Sequence, residues 1–230
     1  MMRTLFSLIC TVFFLMVGME ALAGLQEGIN AYEKGNYPVA LKEFKPLAAK
    51  GNAVAQSALG FMYANGEGVP QDDKKAVEWY RKAAEQGDAE AQTFLGVMYS
   101  NGQGVPQDDK KAVEWYRKAA EHGFTGAQSN LGVMYAEGHG VEQNDMEAAS
   151  WYSKAAEQGN APAQFNLGVM YANGQGVQQD LVQAYKWFSL AETTIGEKAA
   201  NNRKLFETDM TSQQIEEAQK LVRAWAEKHK

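Results

Sequence analysis

The chain has 230 residues, 22 lysines and arginines against 28 aspartates and glutamates, and a formal net charge of -6. That balance excludes the basic footprint of a nucleic-acid binder. A composition of 45% hydrophobic and 22% charged residues is too apolar for a wholly disordered chain and too polar for a polytopic membrane protein.

At the N-terminus Arg3 precedes a largely apolar run from Leu5 to Val17 and then the small-residue triplet Ala21, Leu22, Ala23. That order predicts a secretory signal peptide over 1–23, cleaved after Ala23, and hence a periplasmic or secreted protein. The apolar run is shorter than the roughly 20 residues needed to span a bilayer, so no stable membrane span is expected after cleavage. Cys10, the one cysteine, lies inside the run with too little hydrophobic sequence before it for a lipid-bearing residue. Residues 24–230 contain none, which excludes a disulfide framework and a cysteine zinc site and leaves packing to supply stability.

Internal periodicity governs the rest of the chain. The strings YANGEGV, YSNGQGV, YAEGHGV and YANGQGV begin at Tyr63, Tyr99, Tyr135 and Tyr171, 36 residues apart, which defines four units at 51–86, 87–122, 123–158 and 159–194. Units one and two match at 28 of 36 positions, and VPQDDKKAVEWYRKAAE occurs identically at 69–85 and 105–121, the mark of a recent duplication.

Each unit parses as two helices. In the first, Asn52 caps a helix from about Ala53 to Tyr63, because a short side-chain oxygen satisfies orphan first-turn N–H groups. Gly66 ends that helix, and Gly68 lets the chain turn back. Asp72 or Asp73 caps the second helix with a negative charge at its positive dipole end, Gly87 closes it, and Asp88 caps the next unit. Unit three has Phe124 where the others have Asn52, Asp88 and Asn160, which predicts that its cap slips to Thr125.

Apolar residues recur at helical spacing: Ala55, Leu59 and Met62/Tyr63 on the first helix, Ala76, Trp79/Tyr80 and Ala83 on the second. Gly60, Gly96, Gly132 and Gly168 fall mid-helix, where each costs about 1 kcal/mol relative to Ala. A recurring close contact must offset that cost, with small residues of one helix receiving large aromatics from its partner. By the same recurrence Trp79, Trp115, Trp151 and Trp187 are expected in the core.

The pattern A-x-A-Q-x-x-L-G-x-M-Y-x-N-G-x-G-V followed by D-x-x-x-A-x-x-W-Y-x-K-A-A-E-x-G resembles the Sel-1-like repeat, a relative of the tetratricopeptide repeat, over 51–194. Residues 24–50, with Ala31, Tyr32, Gly35, Tyr37 and Ala40, look like a tetratricopeptide-like opening hairpin. In the tail, 195–230, Thr211 and Gln214 have capping-box spacing, and Ile215, Ala218, Leu221, Val222 and Trp225 form one apolar stripe that would cover the last repeat. The resemblance implies an all-α, right-handed superhelical solenoid of antiparallel helix pairs, whose first helices line a concave face that binds proteins or peptides. It implies no shared catalytic residues. Some relatives have β-lactamase-like activity, but those are disulfide-rich.

No S-x-x-K, K-T-G or G-x-S-x-G is present to mark a nucleophilic serine. The histidines, His122, His139 and His229, lack metal-ligand spacing, the G-x-G pairs lack the G-K-[ST] of a phosphate loop, and no cofactor or metal is expected. The Asp72-Asp73 and Asp108-Asp109 pairs are helix caps beside lysines. Binding is expected on first-helix positions facing away from the core stripe, where the units vary. These are Val54, Ser57 and Phe61; Glu90, Thr93 and Val97; Gly126, Ser129 and Val133; and Pro162, Phe165 and Val169, with Phe61 and Phe165 as apolar anchors. The sequence therefore predicts an exported, non-catalytic scaffold for a protein or peptide partner, with a β-lactam or peptidoglycan-amide hydrolase and a secreted host-interaction factor as the alternatives.

Overall fold

The structure, a computed structural model, describes residues 22–229. The expected export segment lies outside them except for Leu22 and Ala23, which open the first helix. Helices and short turns account for all the described residues, and no strand occurs among them. The chain divides between Gln107 and Asp108 into two compact units. The first holds α1 (22–33), α2 (Tyr37–Ala49), α3 (Ala53–Asn65), α4 (Asp73–Glu85) and α5 (Ala89–Asn101). The second holds α6 (Asp109–Glu121), α7 (Thr125–Glu137), α8 (Asp145–Glu157), α9 (Ala161–Asn173), α10 (Leu181–Ile195), α11 (Glu197–Glu207) and α12 (Ser212–Lys228). Within each unit, helices adjacent in sequence pack as pairs, the solenoid architecture that the repeat predicts.

The helix ends follow the chemistry of their capping residues. Asn52, Asp88 and Asn160 accept from the backbone N–H three residues on, at 2.9, 2.7 and 2.9 Å. Asp72, not Asp73, caps α4, and Asp108, Asn144 and Asp180 cap α6, α8 and α10. The cap of unit three does not slip. The α7 helix starts at Thr125 in the common register, with extended backbone at Phe124 (φ -68°, ψ 113°) and no side-chain acceptor, while the Thr125 hydroxyl donates to Gln158 Oε1 at 2.8 Å.

The two turn glycines have different work. Gly66 and its counterparts Gly102, Gly138 and Gly174 end the first helices in the left-handed region. The second glycine touches backbone: a Cβ on Gly104 would collide with the Asp73 carbonyl at the start of α4, and one on Gly176 with the Asp145 carbonyl at the start of α8. Successive repeats thus approach main chain to main chain.

Mid-helix glycines meet the second helix of their own pair. A Cβ on Gly60 would lie 2.6 Å from Tyr80 Cδ1, one on Gly132 2.6 Å from Tyr152 Cδ1, and one on Gly168 2.9 Å from Phe188 Cδ1. Gly28 receives Phe44 in the same way, so the opening hairpin uses the device of the repeats. The buried tyrosine or phenylalanine fills the gap. The neighbouring Trp79, Trp115 and Trp151 are only half-buried, each with a lysine ammonium 4.2, 4.0 or 3.7 Å from its ring centre, whereas Trp187 is buried as expected.

A buried glutamine ties each repeat to the preceding helix. Gln56, Gln92, Gln128 and Gln164 donate to the carbonyls of Ala48, Ala84, Ala120 and Ala156 at 3.0–3.2 Å. Gln86 and Gln158 in turn donate to the Oε1 of Gln56 and Gln128. Bonding makes a buried amide tolerable, although Gln92 Oε1, opposite His122 in place of a glutamine, has no hydrogen-bond partner.

The tail closes the stack on α10. Phe206 of α11 stacks on Phe188 with centroids 6.1 Å apart, and Ala199 and Ala218 are fully buried. Thr211 and Gln214 form the expected capping box, and Val222 and Trp225 pack against the cluster around Tyr152, Leu167 and Trp187.

Candidate binding surface

In the first unit, α1, α3 and α5 enclose a cleft of about 370 Å³ lined by Ile29, Tyr32, Phe44, Val54, Ser57, Ala58, Phe61, Asp88, Glu90 and Phe94. Aromatic rings form a chain along it. Tyr32 meets Phe61 edge-on at 6.1 Å, Phe61 meets Phe94 edge-on at 5.7 Å, and Phe94 stacks on the buried Tyr80 at 5.2 Å. Such contacts hold their rings in place beyond the effect of area alone. The volume lies within the roughly 300–1,000 Å³ typical of ligand sites.

The electrostatics of the cleft are one-sided. Asp88 and Glu90 line it, and no lysine or arginine does. Loss of water around the Glu90 carboxyl raises its pKa, and the negative charge of Asp88 adds to the shift. Behind the lining, the Tyr32 hydroxyl donates to Glu67 Oε2 at 2.6 Å and the Tyr37 hydroxyl to Glu67 Oε1 at 3.4 Å. Partial burial, and then the Glu67 carboxylate, push the Tyr32 hydroxyl well above its ordinary range.

Of the twelve positions expected to bind, the structure gathers Val54, Ser57, Phe61 and Glu90 into this cleft. Thr93 and Val97 lie outside its lining, and Thr93 turns its hydroxyl back to the Ala89 carbonyl at 2.8 Å. In the second unit Gly126 is half-buried, Pro162 is exposed in the first turn of α9, and Val133 and Val169 pack against core clusters. An open face for every row is therefore corrected. Ser57, Thr93 and Ser129 are 6, 8 and 7% exposed, so this position of the repeat is turned into the packing. Phe165, expected as an exposed anchor, is 9% exposed and packs against Phe188 at 5.6 Å, so it belongs to the core.

The lining also includes residues that helix-face reasoning passed over: Ile29, Tyr32, Phe44, Ala58, Asp88 and Phe94. A signal for three of them was present in the duplication. Units one and two differ at eight of their 36 positions, and every lining residue drawn from those units, Val54, Ser57, Ala58, Phe61, Asp88, Glu90 and Phe94, occupies one of the differing positions. Glu67, which holds Tyr32, occupies another. The scaffold was copied, and the cleft was changed.

Of the paired aspartates, the first of each acts as a helix cap. Asp72 and Asp108 accept from the backbone N–H and ammonium of Lys75 and Lys111, and these bonds lower their pKa values, the opposite of what a general acid needs. His229 contacts the Trp225 carbonyl at 2.7 Å and stacks on its indole. Among the described residues no group of three or more His, Cys, Asp or Glu side chains could hold a metal ion, and no helix is long and apolar enough to cross a membrane.

Glycine-keyed helix pairs at a 36-residue period, with an aromatic cleft on their first helices, define a helical-repeat solenoid. The Sel1 repeat model matches residues 53–88, 89–124, 125–160 and 161–192, and the chain belongs to the Sel1 repeat family. Those segments begin at the first helical residue, two positions after the units counted from the turn glycine. Among solved structures the chain is similar to a protective antigen of uropathogenic Escherichia coli strains that displays an SLR fold, at 38% identity and a TM-score of 0.82. That alignment covers 90% of this chain and 45% of the antigen, so the chain spans less than half the length of that relative. It is also similar to a Sel1 repeat protein from Oxalobacter formigenes, at 29% identity and a TM-score of 0.67, over 88% of this chain and 97% of that one. A comparison with curated proteins finds no match.

Proposed function

We propose that the protein is a non-catalytic interaction scaffold, exported from a bacterial cytoplasm, that binds a protein or peptide partner on the face built by its first helices. The observation that carries this reading is the cleft of α1, α3 and α5, whose repeat-derived lining falls entirely on positions where two near-identical units differ. A rigid backbone presenting exchangeable side chains is the working principle of repeat proteins. Export is supported by the charged start, apolar run and A-x-A triplet of residues 1–23. Similarity to a protective antigen of a uropathogen supports placement in the periplasm or beyond.

The test is affinity capture from periplasmic extract and culture medium with the tagged protein and with Phe61→Asp. Phe61 is half-buried at the cleft, so this change alters the surface without opening the core as Phe165→Asp would. A partner recovered by the parent protein and lost with Phe61→Asp, at unchanged helical circular dichroism, is the expected result. Recovery of no specific partner, or equal recovery with both proteins, contradicts it.

A further inference from the structure

We infer that the cleft between α1, α3 and α5 takes an extended peptide segment in which a bulky apolar or aromatic side chain is followed by arginine or lysine. This rests on the scaffold reading above and adds the chemistry of the partner.

The apolar half of the signature follows from the rings. Phe61 and Phe94 replace smaller residues at their positions in the other units: Val97, Val133 and Val169 correspond to Phe61, and Ala58, Asn130 and Asn166 to Phe94. With Ile29, Val54 and Tyr32 they form an apolar seat, of the kind in which aromatic anchors dominate interface energetics.

The cationic half follows from charge complementarity. Asp88 and Glu90 line the same cleft, and no basic residue lines it with them. Asp88 is already committed through one oxygen to the Ala91 N–H, which leaves Glu90 the better placed to meet an incoming guanidinium or ammonium. Glu90 is exposed and lines the cleft beside Asp88, so a partner's positive charge can reach it and offset the repulsion from Asp88 that adds to the upward shift of its pKa. Tyr32 adds to the attraction. Its hydroxyl donates to the Glu67 carboxylate, which enriches the ring, and an electron-rich ring face draws cations.

The extended form follows from the span. Three first helices in succession contribute to the lining, and two interaxial steps of roughly 8–10 Å each separate the outer pair. That distance is the reach of about five or six extended residues at roughly 3.3 Å each.

The test is fluorescence anisotropy of labelled heptapeptides against the purified protein. One peptide carries phenylalanine followed by two arginines in a glycine–serine background, a second has glutamates for the arginines, and a third has serine for the phenylalanine. The first should bind saturably, and each control should bind at least about tenfold more weakly. Glu90→Lys should weaken the arginine peptide by about tenfold and strengthen the glutamate peptide, whereas Phe61→Ser should weaken both peptides by a similar factor and keep the preference for arginine. Both substitutions fall at positions that are not fully buried, and circular dichroism checks that the helices persist. Equal affinity of the parent protein for the arginine and glutamate peptides, indifference to Glu90→Lys, or no saturable binding below about 1 mM would overturn the inference. A partner captured in the earlier experiment that is lost with Phe61→Asp but kept with Glu90→Lys would overturn this inference and leave the scaffold reading intact.

Discussion

Replacing Gly60 by alanine sets two opposed effects against each other inside α3. Helix propensity favours the change by about 1 kcal/mol. Packing opposes it, because the new Cβ would lie 2.6, 2.8 and 2.9 Å from Cδ1, Cε1 and Cγ of Tyr80. The nearest ring atom must retreat by about 0.9 Å to reach the roughly 3.5 Å at which carbon pairs attract. Tyr80 is among the largest fully buried side chains and stacks on Phe94, so α4 has to move with it. Overpacking of this kind costs about 1–3 kcal/mol, which leaves a net loss of about 1 kcal/mol. The assay is urea unfolding of the parent protein, Gly60→Ala, Tyr80→Leu and the double variant. Gly60→Ala should destabilise the parent and stabilise the Tyr80→Leu background, a coupling of about 1–3 kcal/mol. Equal stabilisation in both backgrounds would refute the claim that the glycine exists to admit the tyrosine ring.

Three further outcomes follow from the same structure. Phe124→Asn restores the cap that α7 lacks, at a position with extended backbone, and should raise stability by about 1 kcal/mol in thermal unfolding; no gain would mean that the helix start is held by something other than its cap. Glu90 has a folded-state pKa above its unfolded value, so its ionisation weighs against folding at neutral pH and stops doing so once pH falls below both values. Glu90→Gln should therefore raise the melting temperature at pH 7 by more than at pH 3.5, and a constant difference across that range would contradict the assignment. Deleting the tail after Ile195 strips Phe206 from Phe188, and Val222 and Trp225 from the cluster around Trp187; the truncated protein should aggregate, and a soluble, fully helical product would remove the capping role.

The repeat made the backbone legible because its punctuation is local chemistry. Asn52, Asp72, Gly66 and Asp88 act at helix ends through their own side chains or their own φ, so their effect can be read without knowing the neighbours. Gly60 was legible as an anomaly whose cost needed a partner, and Tyr80 is that partner. The tryptophans were harder: recurrence says that a position is structural, but whether Trp79 is enclosed or roofed by Lys82 depends on which neighbour the second helix turns toward. Glutamine in A-x-A-Q carried a buried role that polarity conceals, because the amide is satisfied by a carbonyl eight residues back in the preceding helix.

The binding face was the least legible part. A first helix here has neighbours on three sides, so a two-sided division into core and open face misplaced Thr93, Ser129 and Phe165. Phe165 belongs to the last repeat, where α10 and α11 close over it, and the repeat period alone does not show where the stack ends. The differences between units one and two held more information than the helical wheel, because every residue that those units contribute to the cleft stands at one of them.

Hydrogen exchange by mass spectrometry, on the protein alone and with its captured partner, tests most directly that binding is centred on the first-unit cleft. The account predicts slowed exchange in segments that contain Ile29 and Tyr32, Val54 to Phe61, and Asp88 to Phe94. Protection confined to α8 through α12, with those three segments unchanged, would contradict it.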